Sequence, residues 1–585
     1  MHSLSSQARE GQRGARPVAG RARERALWIG GTVAAAAVLM FCYLRTAGTV
    51  PVLSDGAGNA LQAWDMLHGN VLLHGWWVTD VSFYTTELPQ YILVEAAAGL
   101  RPEVVHICAA MTYTLLVLLA AFVARGRATG AEGIVRVLLA AGIMLAPEPA
   151  APTWVLMSSP DHVGTAVPVL VLLLVLDWAF AAEARHRWYV PVVCGIVLAW
   201  TIVGDEIAIV IGSVPLAVAC LIRAARAWWP ARGSGQAARP GAGERLRGTW
   251  FEISLAAAAV LAIPVALAAE RVLRHLGGFR VNPGVSAIVP VSVMSKNFGL
   301  AVQSVLAIFG ADWEAVHGRL NVTFAIVHLA GVLLVLAAVV WAVWRLLRAL
   351  GPRRGDLLTG DARTGDLVAD FLVIAVVVNV LAYFGAFRIT NIYAAHEIGA
   401  VLPLGAALAG RAFGGPLLRA RLGRPSRQAR PAGTAGKGVR VLVPVLAVGL
   451  ACYAAMLGWA ATRDQAPPQN ATLSSWLTGH GLRSGLAGYW QGTSVTLDSG
   501  GRIDMVSVVP VKGGRLAPRH WEADMRLTDS STHSANFVVV VPGGTITGGQ
   551  AITSFGKPAT VYRYQGYTIM VWRQNLLRRL APSVN

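Results

Sequence analysis

A carboxylate and two carboxamides recur at helical spacing in the stretch Ser54-Asp55-Gly56-Ala57-Gly58-Asn59-Ala60-Leu61-Gln62. On a helix, at about 100° per residue, Asp55, Asn59 and Gln62 point within about 60° of one another, while Ala60, Trp64 and Leu67 point the other way. The segment therefore predicts an amphipathic helix, closed by Gly69-Asn70, whose polar stripe begins at Asp55. Such a helix can lie on a membrane surface with a solvated Asp55 acting as N-cap, or it can turn the stripe toward a site.

Other acidic and basic groups stand in similar turns. They are Asp80 and Glu87, Ser158-Ser159-Pro160-Asp161-His162, Gly204-Asp205-Glu206, and Tyr393-Ala394-Ala395-His396-Glu397. Acids at mid-membrane would mark a transport path; these gather at the outer ends of apolar runs and predict a cavity opening outward. Arg280 and Arg388 lie on the same side, where guanidinium groups suit charge-assisted hydrogen bonds to phosphate. Arg271 and Arg274, at the end of an apolar run, are expected to snorkel to lipid headgroups.

The elements that must hold these residues are membrane spans. The chain has 585 residues, of which 14% are charged, against roughly 25% in soluble proteins, and its mean hydropathy is +0.53. Eleven apolar runs are expected to cross, at 26–47, 104–124, 133–147, 163–183, 189–204, 205–223, 251–270, 323–345, 367–388, 397–413 and 440–462. The formal net charge of +19 arises mainly from Arg in short loops. Residues 414–440 contain Arg419, Arg421, Arg424, Arg427, Arg430, Lys437 and Arg440, whereas 48–103 contains Arg101 as its one Arg or Lys. The positive-inside rule then puts the N-terminus in the cytoplasm, the C-terminus outside, and the 48–103 loop outside. This placement makes nucleic acid an unsuitable partner.

Three regions follow from this pattern: a disordered cytoplasmic tail at 1–25, a transmembrane domain at 26–462, and an extracytoplasmic C-terminal domain at 463–585. The last carries short β-rich runs at Ser494–Leu497, Ile503–Pro510, Asn536–Val541, Thr560–Tyr564 and Tyr567–Trp572, separated by glycine pairs. The five cysteines all fall in apolar runs and give no disulfide or zinc spacing. The fold class is thus mainly α, a polytopic helical bundle with amphipathic loop helices and a small β-containing C-terminal domain.

A first span followed by a long loop with an early acid resembles the GT-C class of membrane glycosyltransferases. The residues that carry the resemblance are Asp55 through Ala63, Met66, Leu67, Gly69-Asn70, Leu88-Pro89-Gln90-Tyr91, and Gly485-Leu486-Ala487-Gly488-Tyr489-Trp490. Many members have paired acids in the first loop, whereas here Gly56 follows Asp55. The resemblance implies a polyprenyl-phosphate-linked sugar donor, an extracytoplasmic glycan, protein or lipid acceptor, and transfer with inversion at the plasma membrane. Asp55 would be the general base. Asn59, Gln62, Asp80, Asp161, His162 and Asp205 would orient the acceptor, while Arg280, Arg388 and His396 would neutralise the leaving phosphate. No cofactor is required, although Asp55, Asp161 and Asp205 offer oxygen ligands suited to Mg or Mn. The rival readings are a transporter or lipid flippase, for which no internal repeat is found, and a non-catalytic envelope assembly protein whose Tyr489, Trp490 and Trp521 stack on sugars.

Overall fold

The computed structural model describes residues 18–147, 151–158, 162–180, 187–228, 242–282, 288–313, 318–350, 366–386, 391–422 and 435–582. Asp161 and Arg388 lie outside them. The first half of the chain forms helices α1 (Val18–Ala47), α2 (Ser54–Leu67), α3 (Leu88–Ala98), α4 (Glu103–Arg125), α5 (Gly130–Met144), α6 (Ala151–Met157), α7 (Ala166–Ala179), α8 (Tyr189–Gly204) and α9 (Val214–Trp228). The second half continues with α10 (Ala242–His275), α11 (Val291–Ile308), α12 (Arg319–Leu350), α13 (Leu367–Ala386), α14 (Val401–Leu422) and α15 (Ala435–Ala461).

Eight helical segments among the described residues are long and apolar enough to cross a membrane, and three shorter apolar ones accompany them. This polytopic core differs from the sequence expectation in three places. Val291–Ile308, with a mean hydropathy of 1.3, forms a helix of span length that Lys296, Asn297 and Gly299 disguise in the sequence. The run at 133–147 becomes α5, only 15 residues long. Helix α1 begins at Val18, so residues 18–25 are helical rather than disordered, as their Ala and Arg content favours.

Along α1, Leu27, Ile29, Val33, Val38 and Phe41 are exposed, while Leu39, Tyr43 and Ala47 towards its end are buried. The exposed first part suits a lipid surrounding and the buried end packs on the other helices. Several charged groups within the bundle are paired. Arg411 donates to Asp366 (2.7 Å), to the Val123 carbonyl (2.6 Å) and to Asp177. Arg345 reaches Asp370 at 2.7 Å. Asp177, within a span, is therefore held in an ion pair.

The C-terminal region adds α16 (Ala471–Gly479), α17 (Tyr489–Asp498) and α18 (Gly548–Phe555) around a six-stranded sheet. With β1 (Trp76–Trp77) in the first loop, its strands are β2 (Ser484–Ala487), β3 (Asp504–Pro510), β4 (Leu516–Pro518), β5 (Ala523–Asp524), β6 (Phe537–Val540), β7 (Thr560–Tyr564) and β8 (Tyr567–Val571). The sheet runs β4-β3-β2-β6-β8-β7, with β2 parallel to β3 and β6 and the remaining pairs antiparallel. Four of the five expected β runs are strands. The fifth, Ser494–Leu497, is helical because α17 packs against α2: Ser54 Oγ donates to the Tyr489 carbonyl (2.9 Å) and Thr493 Oγ1 to the Ser54 carbonyl (3.1 Å).

A separate two-stranded ribbon ties this region to the first loop. Strand β1 pairs with β5, Trp76 opposite Asp524 and Trp77 opposite Ala523. Arg526 adds an ion pair to Asp65 at 2.6 Å.

Candidate active site

Helix α2 does not lie on a surface. Ser54, Asn59, Gln62 and the alanines at 57, 60 and 63 are all buried, so both faces are covered. Asp55 is not the N-cap: the helix starts at Ser54, with Leu53 in the cap position. The carboxylate therefore sits in the first turn, where free amide groups and the helix dipole favour negative charge.

Asp55 and Asn59 line a cavity of about 240 Å³ together with Thr79, Asp80, Phe83, His162, His396, Glu397, Trp521 and Glu522. Five residues expected at the site (Asp55, Asn59, Asp80, His162 and His396) thus share one cavity. The fully buried Asn59 turns its Oδ1 to no hydrogen-bond partner among the described residues. Gln62 is buried as well but lies off the cavity wall, with Oε1 likewise unpartnered among the described residues.

Asp205 is not on the wall either; it supports His162. Its Oδ2 accepts from His162 Nδ1 at 2.9 Å and from Thr165 Oγ1 at 2.6 Å, and its Oδ1 accepts from the Ile207 amide at 2.9 Å. A carboxylate can only accept, so His162 Nδ1 carries a hydrogen, and Nε2 is the ring nitrogen on the Glu397 side. There His162 Nε2 lies 3.8 Å from Glu397 Oε1, as does His396 Nε2, and the two imidazole rings stack at 5.2 Å. Burial would raise the Glu397 pKa, but the charge of His162, the hydrogen bond from His396 and then its charge bring it down to about 2. The donor atoms of His162, His396 and Glu397 fall within 4.8 Å of one another. Among the described residues this is the set that could hold a divalent ion, and imidazole donors suit zinc better than Mg; of the three aspartates expected to offer ligands, Asp205 is off the wall and Asp161 lies outside the described residues.

Two acids of this wall were not among the expected site residues. Glu397 follows His396 directly, so its neighbour was the signal. Glu522 comes from the C-terminal region and is 1% exposed. Tyr489 Oη is hydrogen-bonded to both Asp55 Oδ1 and Glu522 Oε2. Burial, then the charges of Glu522 and Asp55, hold the phenol well above its usual pKa. Gly58 makes room for this approach: a Cβ there would stand 2.6 Å from the Glu522 carboxyl carbon.

The backbone is strained at this cavity. Five non-glycine residues among those described have positive φ, and three of them line it: Phe83 (48°), His162 (52°) and Glu522 (44°). Each such conformation costs about 1–3 kcal/mol, and such costs cluster at functional sites.

A larger cleft of about 870 Å³ shares Trp521 with the first cavity and has the opposite charge. Arg274, Arg280, Arg519 and His520 line it with Trp77 and Asn282. Residues 279–282 run beside β1, with amide–carbonyl bonds of 2.9 Å from Arg280 to Trp76 and from Val78 to Arg280. The Arg280 guanidinium lies 5.6 Å from the Trp77 ring centroid, and Trp77 stacks on His520 at 4.2 Å. Arg280 is therefore apart from His396, and Arg274 stands on the cleft wall rather than serving only the headgroups.

The sequence matches no protein-family model and no curated protein. The fold, however, is similar to that of ArnT from Cupriavidus metallidurans solved with bound undecaprenyl phosphate. The TM-score is 0.51 at 13% identity, covering 95% of this chain and 99% of that one. The chain has the GT-C fold. An apo-state structure of the same ArnT aligns over 96% of this chain and 100% of that chain, at 13% identity and a TM-score of 0.49. In this GT-C fold, the acidic cavity and the basic cleft lie where the first long loop meets the C-terminal region.

Proposed function

We propose that the chain is a membrane glycosyltransferase that moves a sugar from a polyprenyl-phosphate-linked donor to an extracytoplasmic hydroxyl, with inversion at the anomeric carbon. The observation that carries this reading is the pair of adjoining chambers of opposite charge, one acidic around Asp55 and one basic around Arg280, joined at Trp521. Acceptor activation needs a base, and departure of a lipid phosphate needs cations. The relative of like fold was solved with a polyprenyl phosphate bound, which supports a donor of that class. A donor carried by lipid also suits a site outside the cell, because nucleotide sugars reside in the cytoplasm.

In this reading Asp55 takes the proton of the acceptor hydroxyl as its oxygen attacks the anomeric carbon. Asn59 and Asp80 hold the acceptor, with His162 kept in register by Asp205. Arg280, Arg519 and Arg274 receive the charge that develops on the leaving phosphate. If a divalent ion binds His162, His396 and Glu397, it adds Lewis-acid stabilisation of that charge.

Mass spectrometry of lipid extracts tests the proposal in cells carrying the wild-type protein, a deletion, or Asp55→Ala at matched expression. A polyprenyl-linked sugar should accumulate in both mutants and identify the donor. Accumulation in the deletion alone would keep the enzyme and remove Asp55 as base. No accumulation in either would overturn the reading.

A further inference from the structure

We propose that helix α11 (Val291–Ile308), although long and apolar enough to cross, does not cross the membrane. It lies along the surface of the leaflet on the cavity side, with lipid as its partner. The inference concerns how the fold meets the bilayer and stands whether or not the protein transfers sugar.

The ends of the neighbouring helices carry the argument. Arg345, near the end of α12, pairs with Asp370 in the first turn of α13 at 2.7 Å. Arg226, near the end of α9, reaches the Leu346 carbonyl at 3.4 Å and Asp370 at 3.7 Å. The end of α9, the end of α12 and the start of α13 therefore share one face of the bundle. Helix α13 finishes on the other face, where the segment Ile392–Ile398 follows it and carries His396 and Glu397 of the acidic cavity.

Helix α12 has 32 residues, about 48 Å at 1.5 Å per residue, more than the roughly 30 Å of a hydrocarbon core. Since it ends on the far face, it starts on the cavity face. Helix α10 runs the same way as α13. Thr249, near its start, accepts from Trp228 at the end of α9 at 3.1 Å, and Arg274, near its end, lines the basic cleft. Thus α10 ends on the cavity face and α12 begins there. The one helix between them has both ends on that face, which a single crossing forbids.

The contacts of α11 agree. Just before it, the Val289 amide donates to the Gly385 carbonyl at 2.9 Å, and Asn297 and Ser304 both meet the last turns of α13, at Phe384 (3.4 Å) and Tyr383 (2.9 Å). Gly310, just past α11, stands against His328 in the first third of α12.

The side chains of α11 divide into three faces. Asn297, Ala301, Ser304 and Ile308 are buried against the protein. At 100° per residue Val291, Phe298 and Val302 point within about 40° of one another, and they are 81%, 63% and 45% exposed. Ser292, Lys296, Gly299 and Gln303 form a third face about 110° from the second. A crossing helix would turn that polar stripe to acyl chains or to the protein along its whole length. A helix lying flat turns it to water and headgroups and sinks the Val291–Phe298–Val302 face in the leaflet. The protein side of α11 packs on Ile392–Ile398, so lipid on one side of this helix backs the turn that holds His396 and Glu397 on the other.

The test uses the full-length protein in sealed vesicles, right-side-out and inverted, and a membrane-impermeant maleimide read against the wild-type cysteines. Ser292→Cys, Gly299→Cys and Leu320→Cys stand at exposed positions, and His68→Cys in the first loop marks the cavity side. All three should label from the side that labels His68→Cys and from no other. Protection of Gly299→Cys from both sides, or labelling of Leu320→Cys from the opposite side, overturns the proposal. Nitroxides at Val291→Cys and Val302→Cys give a second reading through collision rates with oxygen and a nickel chelate. Both should report one shallow acyl depth, whereas a depth difference approaching the roughly 16 Å that separates them along a helix also overturns it.

Discussion

Asp205 holds the imidazole of His162 from behind, with Oδ2 2.9 Å from Nδ1, while itself standing off the cavity that His162 lines. The acid fixes both the tautomer and the ring plane, so its effect on the site passes through another residue. Asp205→Ala should lower transfer by roughly 10–100-fold, the usual effect of losing an orienting partner. It should also destabilise the fold by roughly 1–3 kcal/mol, because the Thr165 hydroxyl and the Ile207 amide lose their acceptor. Steady-state kinetics and thermal unfolding measure the two effects separately. Wild-type turnover in this variant would remove His162 from the mechanism.

Gly58→Ala separates helix stability from function. Alanine favours a helix interior by about 1 kcal/mol over glycine, but its Cβ would stand 2.6 Å from the Glu522 carboxyl carbon. Helix propensity alone predicts a more stable, active protein. The packing predicts a loss of transfer of at least tenfold, with unchanged membrane insertion, and activity assays on purified protein distinguish the two.

Arg280 and Arg519 line the larger cleft, and hydrogen bonds to charged groups contribute about 1.5–3 kcal/mol each. Replacing either with alanine should weaken binding of a polyprenyl phosphate by roughly 10–100-fold. The salt dependence of that binding should flatten as well. Titration with a short-chain polyprenyl phosphate at two ionic strengths provides the check.

Glu95 gives a pH dependence of stability. It is 1% exposed, neither carboxyl oxygen has a hydrogen-bond partner among the described residues, and burial raises its pKa to about 9. Between about pH 4.5 and 9 the unfolded chain ionises this group and the folded chain does not, so its contribution falls steadily as pH rises through that window. Glu95→Met should raise the thermal midpoint by several degrees at pH 8 and by far less at pH 5. Equal shifts at both pH values would contradict the assignment.

Hydropathy made most of the spans legible, and the cavity was announced by polar residues on the outer side, His162 and His396 beside apolar runs and Asp55 and Asp80 in the long first loop. Val291–Ile308 was hidden because Lys296, Asn297, Gln303 and three serines dilute its apolar residues. Glu522 was hidden for a different reason. It lies between short strands with no periodic pattern, and two-residue pairing with Trp76–Trp77 brings it to Asp55. Neither that pairing nor a positive φ leaves a mark in composition. Ser494–Leu497 misled in the opposite direction, because β-branched residues signal strand locally and packing on α2 overrides them.

The ribbon between Trp76–Trp77 and Ala523–Asp524 has a consequence for biogenesis. The segments that carry Asp55, His162 and His396 are synthesised well before the residues that finish the cavity wall. A nascent chain halted ahead of Glu522 would insert an otherwise complete bundle with one side of its chamber missing. On the proposed function, competence arrives only near the end of translation, once the final segment has docked, and a truncated product stays inert in the membrane.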